Sequence, residues 1–149
     1  MPTWKPAPDP TDPDAPAHAD WTSLPADLLA FWRERHLTTL TTLRADGRPH
    51  VVPVGCVLDT DRRCAWVITS GDSVKARHLG ARPDGPVAVC QVDGGRWSTL
   101  EGTARVLGDA ASVAYAEQRY AERYRVPREN PARVALRIEV GAILHSRRV

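Results

Sequence analysis

The feature that most constrains this fold is a succession of short apolar runs separated by tight turns that contain glycine. Ala-Asp-Gly at 45–47 and Asp-Gly-Gly at 93–95 each lie between two such runs, and Asp-Gly-Pro at 84–86 precedes another. Turns of this kind between strand-like runs predict β-hairpins, in which neighbouring strands are antiparallel. The sequence therefore favours an antiparallel barrel with helical additions over a βαβ fold.

The pattern predicts a mainly β protein with six or seven mostly antiparallel strands, about three helices and no internal repeat. Ser23 and Asp109 are predicted to cap helices, because each precedes an apolar stripe at helical spacing. The predicted strands cover residues 36–44, 48–58, 64–69, 87–92, 96–106 and a strand pair at about 133–146, and the predicted helices cover about 23–36, about 73–80 and the segment after Asp109.

A chain of 149 residues is about one domain long. Seven of the 13 prolines fall within residues 1–25, so we expect a tail at 1–22, flexible or draped over a partner subunit, and a folded domain at 23–149. No apolar run is long enough to span a membrane, and the N-terminus lacks the apolar core of a secretory signal. The three cysteines lie in or beside apolar runs, which indicates reduced thiols and a cytoplasmic location.

The chain carries a net charge of +2, with −3 in residues 1–20 and therefore +5 in the remainder. This surplus is too mild for a dedicated nucleic-acid-binding protein, which usually has a concentrated basic face. It suits a domain that receives a small anionic ligand. We therefore expect a small-molecule ligand, with no nucleic-acid partner and no membrane partner.

A candidate anion site follows the predicted strand at 64–69. The segment Thr69-Ser70-Gly71-Asp72-Ser73-Val74-Lys75 places a glycine turn and two hydroxyls before a helix. Unpaired N–H groups and the helix dipole favour an anion at such a position, and Lys75 adds a full positive charge. An ordinary helix cap with a solvated lysine fits the same residues, and the local sequence leaves both interpretations open.

Two further segments have both a binding and a structural interpretation. Pro49 and Pro53 cannot donate to a β-ladder, so their strand is predicted to lie at a sheet edge or to carry a bulge, with backbone groups available to a planar ring. In the segment 91–97, Trp97 can stack on a ring and Arg96 can hold an anion. Taken singly, these residues fit an edge strand, a core tryptophan and a surface arginine better.

No side-chain nucleophile or metal site is indicated. The five histidines show no metal-ligand spacing, and no Gly-x-Ser-x-Gly elbow or Cys/His arrangement is present. An enzyme with this sequence would therefore depend on a cofactor for its chemistry, and we assign no catalytic residue.

Three segments in order, LTTLRADGRPHVVPVG, WVITSGDSVKARHL and VAVCQVDGGRWSTLEGTARV, resemble the pyridoxamine-5′-phosphate-oxidase-like split β-barrel proteins. Within them, the chain is most similar to the reductases that use the deazaflavin coenzyme F420, and particularly to their biliverdin-reducing members. The resemblance covers about residues 24–146. It implies a split β-barrel, a homodimer with cofactor sites at the subunit interface, and hydride transfer from F420H2 to a conjugated acceptor such as biliverdin or a related tetrapyrrole.

The resemblance also implies a set of cofactor-binding residues. By position, residues 50–54 would line the deazaflavin ring and residues 73–75 would hold the phosphate. Residues 95–97 would approach the cofactor from a neighbouring strand or subunit. The implied residues are His50, Val51, Val52, Pro53, Val54, Ile68, Thr69, Ser73, Val74, Lys75, Gln91, Gly95, Arg96 and Trp97.

One departure from the family bears on the cofactor. The FMN-using oxidases that the chain resembles carry an arginine and a lysine at the positions of Pro49 and Val54, and an Arg-Lys pair where this chain has Val74 and Lys75. Three positive contacts to FMN are therefore missing, which favours F420 over FMN. An FMN-binding flavoprotein and a non-catalytic protein that binds haem, bilin or deazaflavin remain as alternatives, because all of them need the same pocket.

Overall fold

The computed structural model of the chain describes residues 15–149. In this part of the chain, eight strands and three helices follow one another. In chain order they are β1 (Ala17–Ala19), α1 (Ala26–Arg33), β2 (Thr38–Leu43), β3 (Pro49–Val54), β4 (Cys56–Asp59), β5 (Cys64–Ser70), α2 (Val74–Ala81), β6 (Gly85–Asp93), β7 (Arg96–Leu107), α3 (Ala110–Arg123) and β8 (Arg133–His145).

The strands form one sheet in the order β3-β2-β6-β7-β8-β5-β4, and every described pairing is antiparallel. The two end strands, β3 and β4, are consecutive in sequence and are separated by Gly55 alone. The chain therefore passes directly from one edge of the sheet to the other, and this connection curls the sheet into a half-barrel. The predicted mainly β, antiparallel split barrel is confirmed.

The interior of the half-barrel is apolar because strand residues alternate between an inner and an outer face. The largest cluster combines inner side chains of the sheet with α1, which contributes Leu28 and Trp32. A second cluster, built around Trp66 and Ala116, lies between the sheet and α3. The helices α1 and α3 thus pack their apolar sides against the sheet.

The strand pair predicted at 133–146 is a single strand, which corrects that prediction. In the register between β7 and β8, Glu101 faces Ala142 and Gly102 faces Val140, so Gly141 is an extra residue on β8. Such a β-bulge bends a strand without reversing it, so residues 133–145 continue as one strand. A Cβ atom on Gly102 would lie 1.9 Å from the Glu139 carbonyl oxygen, so the backbones approach closely there.

Part of the predicted tail belongs to the sheet. Residues 17–19 form β1 and pair with residues 143–145, because β8 extends along this edge beyond the residues that β5 covers. Trp21 then packs against the main core. The boundary predicted between residues 22 and 23 therefore falls too late, and the rest of the predicted tail, residues 1–14, lies outside the described residues.

The helix caps settle two predictions and one open question. The Asp109 side chain accepts from the Ser112 N–H, which confirms that cap, and the Ser73 side chain accepts from the Ala76 N–H, as in the cap interpretation that the sequence left open. The first helix begins later than predicted, with Pro25 at its cap position, and the Ser23 hydroxyl donates to Asp20 instead. Within residues 15–149, no helix combines the length and apolar character needed to span a membrane.

Candidate functional site

The turn between β5 and α2 is held by its own hydroxyl groups. The Ser73 hydroxyl oxygen accepts from the Ala76 N–H at 3.3 Å and from the Thr69 hydroxyl at 3.1 Å. These two bonds fix the start of α2, whose second residue is Lys75. The helix cap and the predicted anion site are therefore compatible, because the cap involves the Ser73 hydroxyl and not the Lys75 ammonium.

The segment between α3 and β8 folds back over this turn. We call residues 125–132 the basic loop. Asn130 donates its side-chain amide to the Ser70 hydroxyl at 2.8 Å, and the Gly71 N–H donates to the Ala132 carbonyl at 2.8 Å. These two bonds hold the basic loop beside α2, although the residues they join are about 60 positions apart in the chain.

A cleft of about 290 Å³ lies between the basic loop, β3 and the start of α2. We call it the basic cleft, because four of the side chains that line it are cations and none is a carboxylate. The four are Lys75, Arg125, Arg128 and Arg133.

Three of these cations have no ion pair among residues 15–149, and the fourth does. Arg133 donates to Glu117 at 3.0 Å and to the Arg128 carbonyl at 2.7 Å, so its charge is matched within the protein. Lys75, Arg125 and Arg128 carry unmatched charge. Burial lowers the pKa of Lys75, because the ammonium loses water without gaining a partner. An anion in the basic cleft would remove this penalty.

The wall opposite the cations is formed where β3 meets β4. Pro53, Val54 and Gly55 line the cleft there, together with Tyr120 of α3. A Cβ atom on Gly55 would lie 2.8 Å from a ring carbon of Tyr120, so only glycine allows the ring to come this close. The Tyr120 ring stacks on Tyr124 with centroids 4.9 Å apart, which gives the cleft a rigid aromatic side.

The structure brings several of the predicted residues to the basic cleft. Pro53, Val54, Ile68 and Lys75 line it, and Thr69 and Ser73 form the adjacent turn. β3 pairs with β2 alone among the described strands, so the predicted edge position of the proline-containing strand is confirmed.

The other predicted residues of β3 and α2 lie nearby. His50 accepts from Arg44 at 3.3 Å, Val52 packs against the main core, and Val51 points outward with 56% of its surface exposed. Val74 lines a separate pocket on the other side of α2. The predicted phosphate-binding residues Val74 and Lys75 thus face different cavities.

Gln91 lies inside the core with 1% of its surface exposed. Its amide nitrogen donates to the Phe31 carbonyl at 3.0 Å, and its amide oxygen accepts from Arg123 at 2.6 Å. Both ends of the side chain are therefore bonded within the protein. The structure does not bring Gln91 to the basic cleft.

The segment at 95–97 lies at the β6–β7 turn, which is not part of the basic cleft of the same chain. Arg96 pairs with Glu34 and Asp93 and lies over the Phe31 ring, while the Trp97 backbone pairs with Ser146. Gly95 is exposed within the turn. The structure does not bring these three predicted residues to the basic cleft.

A buried arginine that the sequence analysis missed supports the wall of the cleft. Arg123 is 7% exposed and donates to the carbonyls of Glu34 and Cys56 and to Gln91. It thereby joins the end of α1, the start of β4 and the middle of β6. The neighbouring Tyr124 hydroxyl donates to the His36 carbonyl at 2.6 Å. The periodic stripe of α3 marked Tyr124 as inward-facing, but no local pattern identifies Arg123 as buried.

The cysteine thiols do not offer a nucleophile. Burial raises the pKa of Cys56 to about 12 and that of Cys64 to about 11, so both remain protonated near neutral pH. Cys56, Cys64 and Cys90 are all free thiols, as predicted.

Glu34, His36 and Asp93 bring three possible metal-ligand atoms within 4.8 Å of one another. Arg96 lies among them and pairs with both carboxylates. The guanidinium already supplies the positive charge that this acidic group requires. The chemistry that the described side chains offer is therefore the binding of an anion beside a sheet edge and an aromatic pair.

Comparison with known proteins identifies relatives over most of the chain. The sequence of residues 24–146 matches the family described as pyridoxamine 5′-phosphate oxidase. A relative named F420H(2)-dependent biliverdin reductase, from Mycobacterium tuberculosis (strain CDC 1551 / Oshkosh), is 50% identical over 125 residues, which are 84% of this chain and 90% of the relative.

Solved structures share the fold at lower sequence identity. The conserved hypothetical protein Rv2991 from Mycobacterium tuberculosis superposes with a TM-score of 0.68 and 24% identity, covering 83% of this chain and 84% of that chain. A structure named F420 reductase superposes with a TM-score of 0.64 and 21% identity, covering 80% and 98% respectively. At these identities the two structures show a common fold.

Proposed function

The chain belongs to the pyridoxamine 5′-phosphate oxidase family, and from this premise we propose that it is an oxidoreductase that uses reduced coenzyme F420. We propose biliverdin or a related linear tetrapyrrole as its acceptor, since the relative that is 50% identical carries that activity in its name. The structural observation that carries the proposal is the basic cleft, with three unmatched cations and no carboxylate in its lining.

The residues of the basic cleft fit the chemistry of F420, which bears a phosphate and an acidic glutamate tail. Lys75 and the two arginines of the basic loop would hold the phosphate, because unmatched cations bind anions without breaking an internal ion pair. The β3 edge at Pro53 and Val54 would face the ring, and Ile68 would pack against it. FMN would lack the cationic partners that the FMN-using oxidases place on this strand.

Bound F420H2 supplies a hydride to an electrophilic carbon of the acceptor. The chain's own residues orient the reactants and exclude water. Gly55 allows the close approach of the Tyr120 ring, and the cations of the basic cleft would hold the anionic end of the cofactor in place.

We propose that two copies of the chain assemble through the uncharged part of the outer face of the sheet. One cross-strand row on this face, from Pro53 through Thr39, Cys90 and Thr99 to Leu144, contains no charged residue. Apolar side chains such as Val51 and Val92, which are 56% and 62% exposed, extend this surface. Uncharged surface of this kind is typical of interfaces.

In such a homodimer, Gly95, Arg96 and Trp97 of one copy would approach the basic cleft of the other. The buried, protonated thiols support a reducing compartment, so we propose a cytoplasmic location. Size-exclusion chromatography with light scattering tests the assembly, and a monomer at micromolar concentration would contradict it.

The cofactor is tested by titrating the protein with oxidised F420 and, separately, with FMN, while fluorescence is recorded. We expect F420 to bind at least about tenfold more tightly, since each charge-assisted contact that FMN lacks contributes about 1.5 kcal/mol or more. Biliverdin consumption that requires F420H2 tests the activity. Tighter binding of FMN would contradict the cofactor, and tight F420 binding without turnover would indicate a carrier.

A further inference from the structure

A second basic cavity, of about 600 Å³, lies on the face of α2 that points away from the basic cleft. We call it the α2 pocket. Val74, Arg77, His78 and Ala81 line it, and their spacing places them on one face of the helix. Arg82, which follows α2, and Arg44, which follows β2, also line the pocket.

The arginines of the α2 pocket are not neutralised by the described part of the protein. Arg44, Arg77 and Arg82 form no ion pair among residues 15–149, and no acidic side chain lines the pocket. Asp46, the acid of the β2–β3 turn, is instead paired with Arg48 at 2.7 Å. Three like charges around one cavity repel one another unless an anion lies between them.

Two histidines lie beside these arginines. The His50 and His78 rings meet edge to face with centroids 5.3 Å apart, and Nδ1 of His78 lies 3.0 Å from the Thr42 hydroxyl. A guanidinium nitrogen of Arg44 lies 3.3 Å from Nδ1 of His50. Of the two rings, His78 is the one that lines the α2 pocket.

Burial and then the positive charges of His50, Arg44 and Arg77 lower the pKa of His78, so the ring is neutral near neutral pH. An anion in the α2 pocket would cancel the repulsion from those charges. The imidazolium form would then become favourable, and the ring would take up a proton as the anion binds.

We propose that the α2 pocket binds an oligocarboxylate and that binding is coupled to proton uptake at His78. Several cations around a cavity of this volume fit a molecule with more than one carboxylate better than a single small anion. Two sources of this chemistry follow from the proposed function, on which this part of the inference rests. They are the glutamate tail of the cofactor and the carboxylates of a tetrapyrrole acceptor.

Calorimetric titration with a triglutamate peptide tests the pocket without any deazaflavin. In two buffers of different ionisation enthalpy at pH 7.5, we expect binding with net proton uptake. Arg77→Gln combined with Arg82→Gln should weaken binding at least about tenfold, because charge-assisted hydrogen bonds are lost. His78→Gln should abolish the proton uptake and keep most of the affinity. Arg105→Gln, which removes an arginine from a different face, is the matched control.

Absence of triglutamate binding overturns the proposal, as does binding that the Arg77/Arg82 double substitution leaves unchanged. Binding without proton uptake overturns the coupling to His78. Circular dichroism of each variant establishes that it is folded. Triglutamate binding is measured without turnover. Binding can therefore be absent while the proposed activity is present, and binding can be present while the activity is absent.

Two pairs of compounds then distinguish the sources. If the double substitution weakens F420 but not the same deazaflavin without its glutamates, the pocket receives the cofactor tail. If it raises the KM of biliverdin but not that of biliverdin dimethyl ester, the pocket receives the acceptor. If neither full compound is affected, the assignment to an oligocarboxylate of this reaction is overturned.

Discussion

Two surfaces of the molecule differ in whether their arginines form ion pairs within the protein. On the outer face of β6, β7 and β8, Arg105 pairs with Asp84 at 2.6 Å and Arg137 with Glu139 at 2.7 Å. Around α2, in the basic cleft and the α2 pocket, most of the cations have no such partner among the described residues. Paired charges on a sheet face are satisfied by the fold itself, so they indicate no ligand. The charges around α2 that have no partner within residues 15–149 are available to bind an anion.

The largest expected effect concerns a buried cation that the fold holds by hydrogen bonds. Arg123→Met should lower the free energy of unfolding by about 3 kcal/mol or more, because it removes the donor to the buried Gln91 amide oxygen and two further hydrogen bonds to backbone carbonyls. Urea unfolding followed by tryptophan fluorescence measures this change. A loss below about 1 kcal/mol would mean that the network joining α1, β4 and β6 is dispensable.

Lys75→Gln should separate binding from stability. We expect F420 affinity to fall about tenfold, since a charge-assisted contact is lost, while the free energy of unfolding changes by less than about 0.5 kcal/mol. Fluorescence titration and urea unfolding of the same preparation measure both quantities. Unchanged affinity would show that the basic cleft is not the phosphate site.

The environment of His78 in the α2 pocket should make the free energy of unfolding depend on pH. Since the pKa of His78 is lowered in the folded protein, the unfolded chain binds more protons as the pH falls toward about 6.5 and below. Stability should therefore fall with decreasing pH more steeply in the native protein than in His78→Gln. Urea midpoints between pH 5 and 8 test this, and parallel profiles for the two proteins would contradict it.

Arg105→Gln should have the smallest effect. The ion pair with Asp84 is exposed to solvent on the paired sheet face, where such pairs contribute little. We expect an unchanged urea midpoint and unchanged F420 affinity. A loss of affinity would break the comparison, because it would show that the paired face also takes part in binding.

The sequence predicts those parts of the site that depend on neighbours in the chain. The Ser73 cap, the Asp109 cap and the edge position of β3 all follow from residue types within a few positions. Since local chemistry decides these features, a single sequence is sufficient to predict them.

The parts that the sequence does not predict depend on contacts between distant residues. The basic loop contains Pro127, and its sequence indicates no more than a loop between two elements. Its hydrogen bonds to Ser70 and Gly71 hold it beside α2 and bring its arginines to the same cleft as Lys75. Gln91 suits a ligand site by its type, but Arg123, 32 residues away, fixes it in the core. The strand at 17–19 pairs with the part of β8 that extends beyond β5. No local pattern in the sequence reveals this difference in strand length.

The passage of the chain through Gly55 links the basic cleft to the completion of folding. β3 and β4 are the two ends of the sheet, so the wall at Pro53–Gly55 exists only when the sheet has curled and both ends have found their neighbours. A ligand of the basic cleft therefore recognises the closed protein and not a partly assembled sheet. Cofactor binding would therefore stabilise the closed sheet, and the cellular lifetime of the protein would rise with cofactor supply.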